Sequence, residues 1–91
     1  MSAQFSKQSS VSEAVTQFLR ERIAARTSTP LEEIHTSSVL ADLALQSIDA
    51  VLICGEVEDK FGIELDPTAI FQHKTIGGFA AEVMAAVVES Q

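Results

Sequence analysis

An enzymatic function of this sequence of 91 residues would need Cys54, His35 and His73 as its set of nucleophile and base. A nucleophilic site would need the Cys54 sulfur within hydrogen-bond reach of an imidazole. Cys54, however, falls on the apolar stripe of a predicted helix, where an inert buried thiol is expected. His35 falls in a predicted loop, and His73 follows a short predicted helix and is expected at the surface. The two histidines and the scattered acids also lack metal-ligand spacing, so we expect neither a catalytic site nor a metal site.

Ser47 is the other residue of chemical interest, because it stands where a helix over residues 47–61 is predicted to begin. A serine at this position is exposed, and it most often serves as an N-cap that accepts a backbone N–H of the first turn. Its position alone favours that structural role. A chemical role needs support from the surrounding sequence.

The predicted helix over residues 47–61 has two apolar faces. Its core stripe consists of Ala50, Ile53, Cys54, Val57 and Phe61. Its opposite face consists of Ile48, Val51, Leu52 and Gly55. We expect Phe61 to be buried against the first and last helices. A helix in a small bundle cannot easily bury both faces, so we expect the second one to be partly exposed as a binding surface. The alternative is that the long loop before the helix folds back and covers it.

Acidic residues are concentrated around this helix. Asp49 and Glu56 lie with Lys60 on one flank of the second apolar face, and Glu58 lies on the other. Residues 42–66 hold seven acids, Asp59 among them, against Lys60 alone, and the net charge of the chain is −7. Phosphate would be repelled, which argues against nucleic acid or an anionic membrane and favours a partner with a basic docking surface. The alternative is that the acidity only keeps a small protein soluble.

The first half of the chain predicts one helix and one long loop. The capping-box spacing of Ser10 and Glu13, followed by apolar residues at three- and four-residue intervals, predicts a helix over about residues 11–26. Residues 27–46 form a long connection with a single helical turn beginning at Pro30. The apolar residues expected to pin this loop to the core are Val39, Leu40, Leu43 and Leu45.

The second half predicts two further helices after Gly62, which ends the helix over residues 47–61 in a left-handed conformation. Asp66 as a cap predicts a short helix over about residues 66–71, with Pro67 at its first position. Thr75 is predicted to cap a last helix that ends near residue 88. Gly77 and Gly78 in its first turn indicate close approach of a neighbouring backbone. The expected fold is all-α, a small bundle with three main helices, one short helix and a long first loop.

Length and composition are consistent with a single domain over residues 1–91, ordered from about 10 to 88 with flexible ends. Apolar residues make up 46% of the chain, which is enough for a core. No apolar run approaches the ~20 residues of a membrane span, and the polar N-terminus does not have the pattern of a signal peptide. A single cysteine excludes an internal disulfide. We therefore expect a cytoplasmic monomer.

Three segments resemble the acyl carrier protein family. Residues 43–49 (LALQSID) are similar to the family's attachment motif, Leu-Gly-x-Asp-Ser-Leu-Asp. Residues 57–65 (VEDKFGIEL) look like the end of the family's second helix, and residues 75–80 (TIGGFA) look like the start of its last helix. The resemblance covers roughly residues 10–88 and implies a four-helix bundle of acyl-carrier type.

The resemblance implies that a phosphopantetheinyl transferase joins the 4'-phosphopantetheine arm of coenzyme A to the Ser47 hydroxyl. The helix dipole is compatible with a phosphate at that end. The thiol of the arm would carry acyl or polyketide chains as thioesters, and the chain itself would be non-catalytic. Acyltransferase, ketosynthase or ligase enzymes would be the other partners. The residues expected to dock them are Ile48, Asp49, Val51, Leu52, Gly55, Glu56, Glu58 and Asp59.

Two positions depart from the family motif. Gln46 replaces the usual Asp before the serine, and Gln is neutral and caps poorly; Ala44 replaces the usual Gly. A specialised transferase, slower modification and a carrier-like adaptor that is never modified are all compatible with these changes. Residues 66–75 look more like carriers of polyketide or mixed peptide–polyketide assembly than of housekeeping fatty-acid synthesis, which favours polyketide, hybrid or specialised fatty-acid biosynthesis. The competing hypothesis is an adaptor that uses the same face only to bind a partner.

Overall fold

The computed structural model describes residues 3–90 of the chain, with side chains described for residues 11–90. It contains three α-helices: α1 (Ala3–Thr27), α2 (Ser47–Phe61) and α3 (Ile76–Glu89). Short 3-10 turns at Leu31–Glu33, Leu40–Asp42 and Ala69–Gln72 lie between them, and the described part contains no strand. The all-α fold with three main helices and one short helical element is therefore confirmed. None of the helices within residues 3–90 is long and apolar enough to cross a membrane.

Helix α1 begins earlier than the sequence predicted. It runs from Ala3, so Ser10 lies inside the helix and the predicted capping box of Ser10 and Glu13 is wrong. The Ser-x-x-Glu spacing also occurs within a continuous helix, where the backbone N–H groups already have helical partners. The C-terminal end is as expected. After Thr27, Ser28 adopts a left-handed conformation with φ of 56°, which ends the helix before Pro30.

One continuous core joins the three helices. Helix α1 contributes Val15, Leu19 and Ile23, each with no exposed surface. Helix α2 contributes Ala50, Ile53, Cys54 and Val57, and α3 contributes Ile76, Phe79, Ala80, Val83 and Val87. The core stripe predicted for residues 47–61 is therefore confirmed at four of its five positions. Phe61, the fifth position, is only half-buried, because it is the last residue of α2. Its ring packs edge-on against that of Phe18, with the two ring centres 5.8 Å apart.

The loop between α1 and α2 is packed, as its apolar residues predicted. Leu40 is buried, and Leu43 and Leu45 are partly buried against the core. Ile34 is also buried, although it was not among the predicted anchors. The guanidinium of Arg20 on α1 holds the same segment by donating to the backbone oxygens of Leu31 and Ile34.

The loop also meets the start of α3 through the backbone. The N–H of Gly77 donates to the oxygen of Thr36 at 2.8 Å, and Leu40 N–H donates to the oxygen of Lys74 at 2.9 Å. A Cβ on Gly77 would lie 3.1 Å from that Thr36 oxygen. The predicted close approach of a backbone is therefore confirmed at Gly77. Thr75 caps α3 as predicted, because its hydroxyl accepts the N–H of Gly78 at 3.1 Å.

The short fourth element differs in kind and position from the prediction. It is a 3-10 turn over Ala69–Gln72 rather than an α-helix that begins at Pro67. The carboxylate of Asp66 accepts the N–H of Thr68 at 2.8 Å and its hydroxyl at 2.6 Å, and these bonds lower the pKa of the Asp66 carboxyl below its usual value. Asp66 thus closes a turn ahead of the helical residues. Ala69 and Ile70 are buried and secure the segment.

Candidate functional site

Ser47 is the first residue of α2, and it is exposed. The residue before it, Gln46, occupies the N-cap position with extended backbone angles of −99° and 167°. The carboxylate of Asp49 accepts the Gln46 N–H at 3.0 Å, and the Gln46 oxygen accepts the first helical bond from Ala50 at 3.1 Å. The alternative in which Ser47 is the N-cap is therefore wrong. Its hydroxyl is not needed to start the helix.

Asp49 has a structural role that was not predicted from the sequence. We expected Gln46 to cap α2 poorly, but the carboxylate three residues later satisfies the N-cap N–H. This interaction is one half of a capping box, and the Gln-x-x-Asp spacing was its visible signal in the sequence. The replacement of Asp by Gln before the serine therefore leaves the start of the helix ordered.

The second apolar face of α2 is exposed, as predicted. Ile48, Val51 and Leu52 expose 58%, 43% and 40% of their surfaces. The long loop does not fold over them, so the covered alternative is wrong. Asp59 is exposed, and at four residues beyond Gly55 it continues the same helix face. We call Ile48, Val51, Leu52, Gly55 and Asp59 the outer face of α2.

Two acids that were expected to flank this face form polar contacts with other parts of the same chain. The carboxylate of Glu56 lies 3.3 Å from the guanidinium of Arg26 and 3.6 Å from that of Arg22, and so ties α2 to α1. The carboxylate of Glu58 accepts the N–H of Leu65 at 2.7 Å and fixes the segment that follows Gly62. Both side chains are half-buried. In contrast to Glu56 and Glu58, Asp59 has an exposed side chain, and it lies on the outer face itself.

Within residues 11–90, Cys54, His35 and His73 share no hydrogen bond with one another. Cys54 is 2% exposed, and its burial raises the pKa of the thiol above its usual value, which opposes thiolate formation. His35 is exposed on the loop. His73 is half-buried rather than fully on the surface: its imidazole contacts the Glu82 carboxylate, and its ring centre lies 6.0 Å from that of Phe79. Among the described residues no group of three or more histidine, cysteine or acidic side chains is placed to hold a metal ion.

The start of α2 fits a phosphate group on Ser47. The first-turn N–H groups of a helix have no partner within the helix, and the dipole places partial positive charge there. The acid of the first turn, Asp49, accepts the Gln46 N–H at 3.0 Å. Gln46 itself is neutral, so the residue next to the serine adds no repulsion. An exposed hydroxyl at this end can therefore accept a phosphodiester without displacing a core side chain.

Comparisons with known proteins point to one family. The family model described as "Phosphopantetheine attachment site" matches residues 17–83, more than half of the chain. A phenolphthiocerol/phthiocerol polyketide synthase component of Mycobacterium tuberculosis is 40% identical over 65 residues, which is 71% of this chain and 4% of that protein. The polyketide synthase PksM of Bacillus subtilis is 30% identical over 66 residues, 72% of this chain and 2% of that protein. The chain thus spans only a small part of these curated relatives.

Two solved structures share the fold. A free-standing peptidyl carrier protein from Acinetobacter baumannii superposes with a TM-score of 0.71 at 25% identity, over 88% of this chain and 96% of that one. The HMG-ACPI domain of the CurA module from Lyngbya majuscula also gives a TM-score of 0.71, at 19% identity, over 85% of this chain and 79% of that domain.

Proposed function

This chain belongs to the acyl carrier protein family, whose members bind 4'-phosphopantetheine covalently, and we propose that Ser47 is the residue that carries the arm. The observation that carries the proposal is the exposed hydroxyl of Ser47 at the first residue of α2, within the motif-like segment 43–49. Because Gln46 and Asp49 organise the helix start, that hydroxyl is free of a capping role.

In the proposed loading step the Ser47 oxygen displaces the nucleotide part of coenzyme A from phosphorus, and the hydroxyl proton leaves to the transferase. The new bond is a phosphodiester. The positive end of α2 stabilises its charge. Once attached, the arm supplies a thiol that forms thioesters. The contribution of this chain is to hold the arm at an exposed helix terminus and to present it to other enzymes.

We propose a non-catalytic carrier of acyl or polyketide chains. Two observations on the described residues support this proposal: the thiol of Cys54 is buried, and the imidazole of His73 contacts the carboxylate of Glu82. The match to segments of polyketide synthases supports a polyketide pathway. A monomeric cytoplasmic domain remains our prediction.

We propose that partner enzymes dock on the outer face of α2. Its apolar centre, Ile48, Val51 and Leu52, is exposed and lies beside Ser47. A few well-packed, fully desolvated side chains near the centre of an interface usually contribute most of its binding energy. Asp59 and the net charge of −7 would steer basic surfaces toward it. Transferase, acyltransferase, ketosynthase and ligase enzymes are the proposed partners.

Intact-mass measurement tests the attachment directly. After incubation with coenzyme A and a promiscuous phosphopantetheinyl transferase, the protein should gain the mass of one phosphopantetheine. The Ser47→Ala variant should gain none, whereas a Ser38→Ala control should be modified like the original. A mass gain mapped to Ser37, Ser38 or another serine would refute the assignment. An unmodified protein that still binds a synthase would support the adaptor hypothesis instead.

A further inference from the structure

Gly55 occupies the middle of α2, and the packing of the protein does not explain why a glycine stands there. Glycine is the least favourable residue in a helix interior after proline. A Cβ built on Gly55 meets no heavy atom within 4 Å, whereas one on Gly77 would lie 3.1 Å from the Thr36 oxygen. Gly62 has a positive φ of 66°, but Gly55 has no such backbone requirement. Within the described residues, an alanine at position 55 would fit without cost.

The missing side chain leaves a notch in the outer face of α2. Residues three and four positions apart are neighbours on a helix surface. The notch is therefore bordered by Val51 and Leu52 on the side nearer Ser47 and by Glu58 and Asp59 on the other. Val51 and Leu52 expose 43% and 40% of their surfaces, and Asp59 is exposed. The floor of the notch is helix backbone, its near wall is apolar, and its far wall carries a negative charge.

The distance from Ser47 places this notch within the area that an enzyme acting on the Ser47 hydroxyl would cover. Gly55 lies eight residues beyond Ser47, which corresponds to about 12 Å along the helix axis. A protein interface of ordinary size covers about 800 Å² on each partner, equivalent to a disc with a radius of about 16 Å. An enzyme that docks with its active site on the Ser47 hydroxyl therefore extends over Gly55.

We propose that the notch at Gly55 receives a bulky apolar side chain of the enzyme that loads Ser47, set in a basic surface. This inference rests on the proposed attachment at Ser47. The apolar stem of the incoming side chain would pack between Val51 and Leu52. Basic residues around it would face Asp59 and the acidic surface of a chain whose net charge is −7. Filling the notch from the carrier's side would remove the space for that side chain.

Loading kinetics test the proposal. The rate at which a promiscuous phosphopantetheinyl transferase and coenzyme A convert each variant is followed by intact mass. Gly55→Ala should lower kcat/KM a few-fold, and Gly55→Leu by about tenfold or more, mainly through KM. The control is Ala85→Leu, which places the same leucine side chain at an exposed position of α3 and should leave the rate unchanged. Gly55→Ala should also raise Tm by about 4–8 °C, because it removes only a helix-weakening glycine.

Each other outcome has a distinct meaning. If the original protein is loaded and Gly55→Leu is loaded at the same rate, the notch is refuted and attachment at Ser47 stands. If Gly55→Ala lowers Tm, the glycine serves the fold and the notch is refuted as well. If the original protein is not loaded at all, the proposed attachment fails, and the inference about Gly55 fails with it.

Discussion

The carboxylate of Asp49 accepts the backbone N–H of Gln46 at 3.0 Å, so a residue inside α2 holds the residue that precedes Ser47. The two partners lie on either side of the serine along the chain. Their bond fixes the direction in which the loop enters the helix, and with it the position of the exposed hydroxyl. A negative charge in the first turn also interacts favourably with the helix dipole.

Replacement of Asp49 by Ala should therefore destabilise the protein by about 1 kcal/mol, the usual cost of losing a helix cap. Asp49→Asn keeps an acceptor oxygen and should cost less. Urea unfolding measures both, with Asp59→Asn as the control, because that exposed acid of α2 has no place in the helix cap. If Asp49→Ala is as stable as the original protein, a hydrogen bond from the Gln46 N–H to water stabilises the fold as much as the bond to Asp49.

The Phe61→Ala variant should lose about 2 kcal/mol, less than the ~3–5 kcal/mol typical of a fully buried phenylalanine. Phe61 is half-buried and meets Phe18 edge-on at 5.8 Å. Phe79→Ala is the matched comparison, because that ring has no exposed surface and should show the full cost. Denaturant unfolding of the two variants gives the difference, and a larger loss for Phe61→Ala would contradict the packing described above.

The Val51→Asp substitution should separate docking from folding. Val51 is 43% exposed, so the free energy of unfolding should change by no more than about 0.5 kcal/mol. Transfer by partner enzymes should weaken by about tenfold, through lost contact at the centre of the outer face. Val88→Asp, at a 55% exposed position of α3, is the control and should affect neither property. If Val51→Asp unfolds the domain, the proposed docking surface does not exist in the resting protein.

Glu56 and Asp59 should respond differently to neutralisation. Glu56→Gln removes the ion pairs with Arg22 and Arg26 and should cost up to about 1 kcal/mol of stability. Asp59→Asn should leave stability unchanged and slow association with a basic partner, with a smaller effect at high salt. Stopped-flow association at two ionic strengths, together with thermal melts, distinguishes the two. A pure rate effect for Glu56→Gln would mean that its charge steers partners rather than joining α1 to α2.

The Gly77→Ala variant should be less stable by about 1–3 kcal/mol, because the added methyl group would stand 3.1 Å from the Thr36 oxygen. The loop and α3 would have to separate, which would strain the bond from Gly77 N–H to that oxygen. Gly55→Ala provides the matched control with open space. If both alanine variants are equally stable, the loop between α1 and α2 moves away from α3 at little cost, and the predicted clash with the Thr36 oxygen is refuted.

Helix content and helix faces were predictable because they depend on local spacing. Residues on one face of a helix recur every three or four positions, so the core stripe of α2 through Val57 and the exposure of Val51 followed from the sequence. The caps at Gly62 and Thr75 were predictable for the same reason, since each depends on a few consecutive residues. The start of α1 was not, because a Ser-x-x-Glu spacing is also compatible with a helix interior.

The amino-acid sequence was sufficient to predict an all-α carrier fold, the motif around Ser47 and an acidic, apolar face next to it. Which acids remain available to a partner depends instead on how the helices pack. Glu56 is paired because α1 brings Arg22 and Arg26 beside α2, and Glu58 is bonded because the chain returns past it at Leu65. Contacts between residues distant along the chain depend on how the helices pack, and no local spacing encodes that packing.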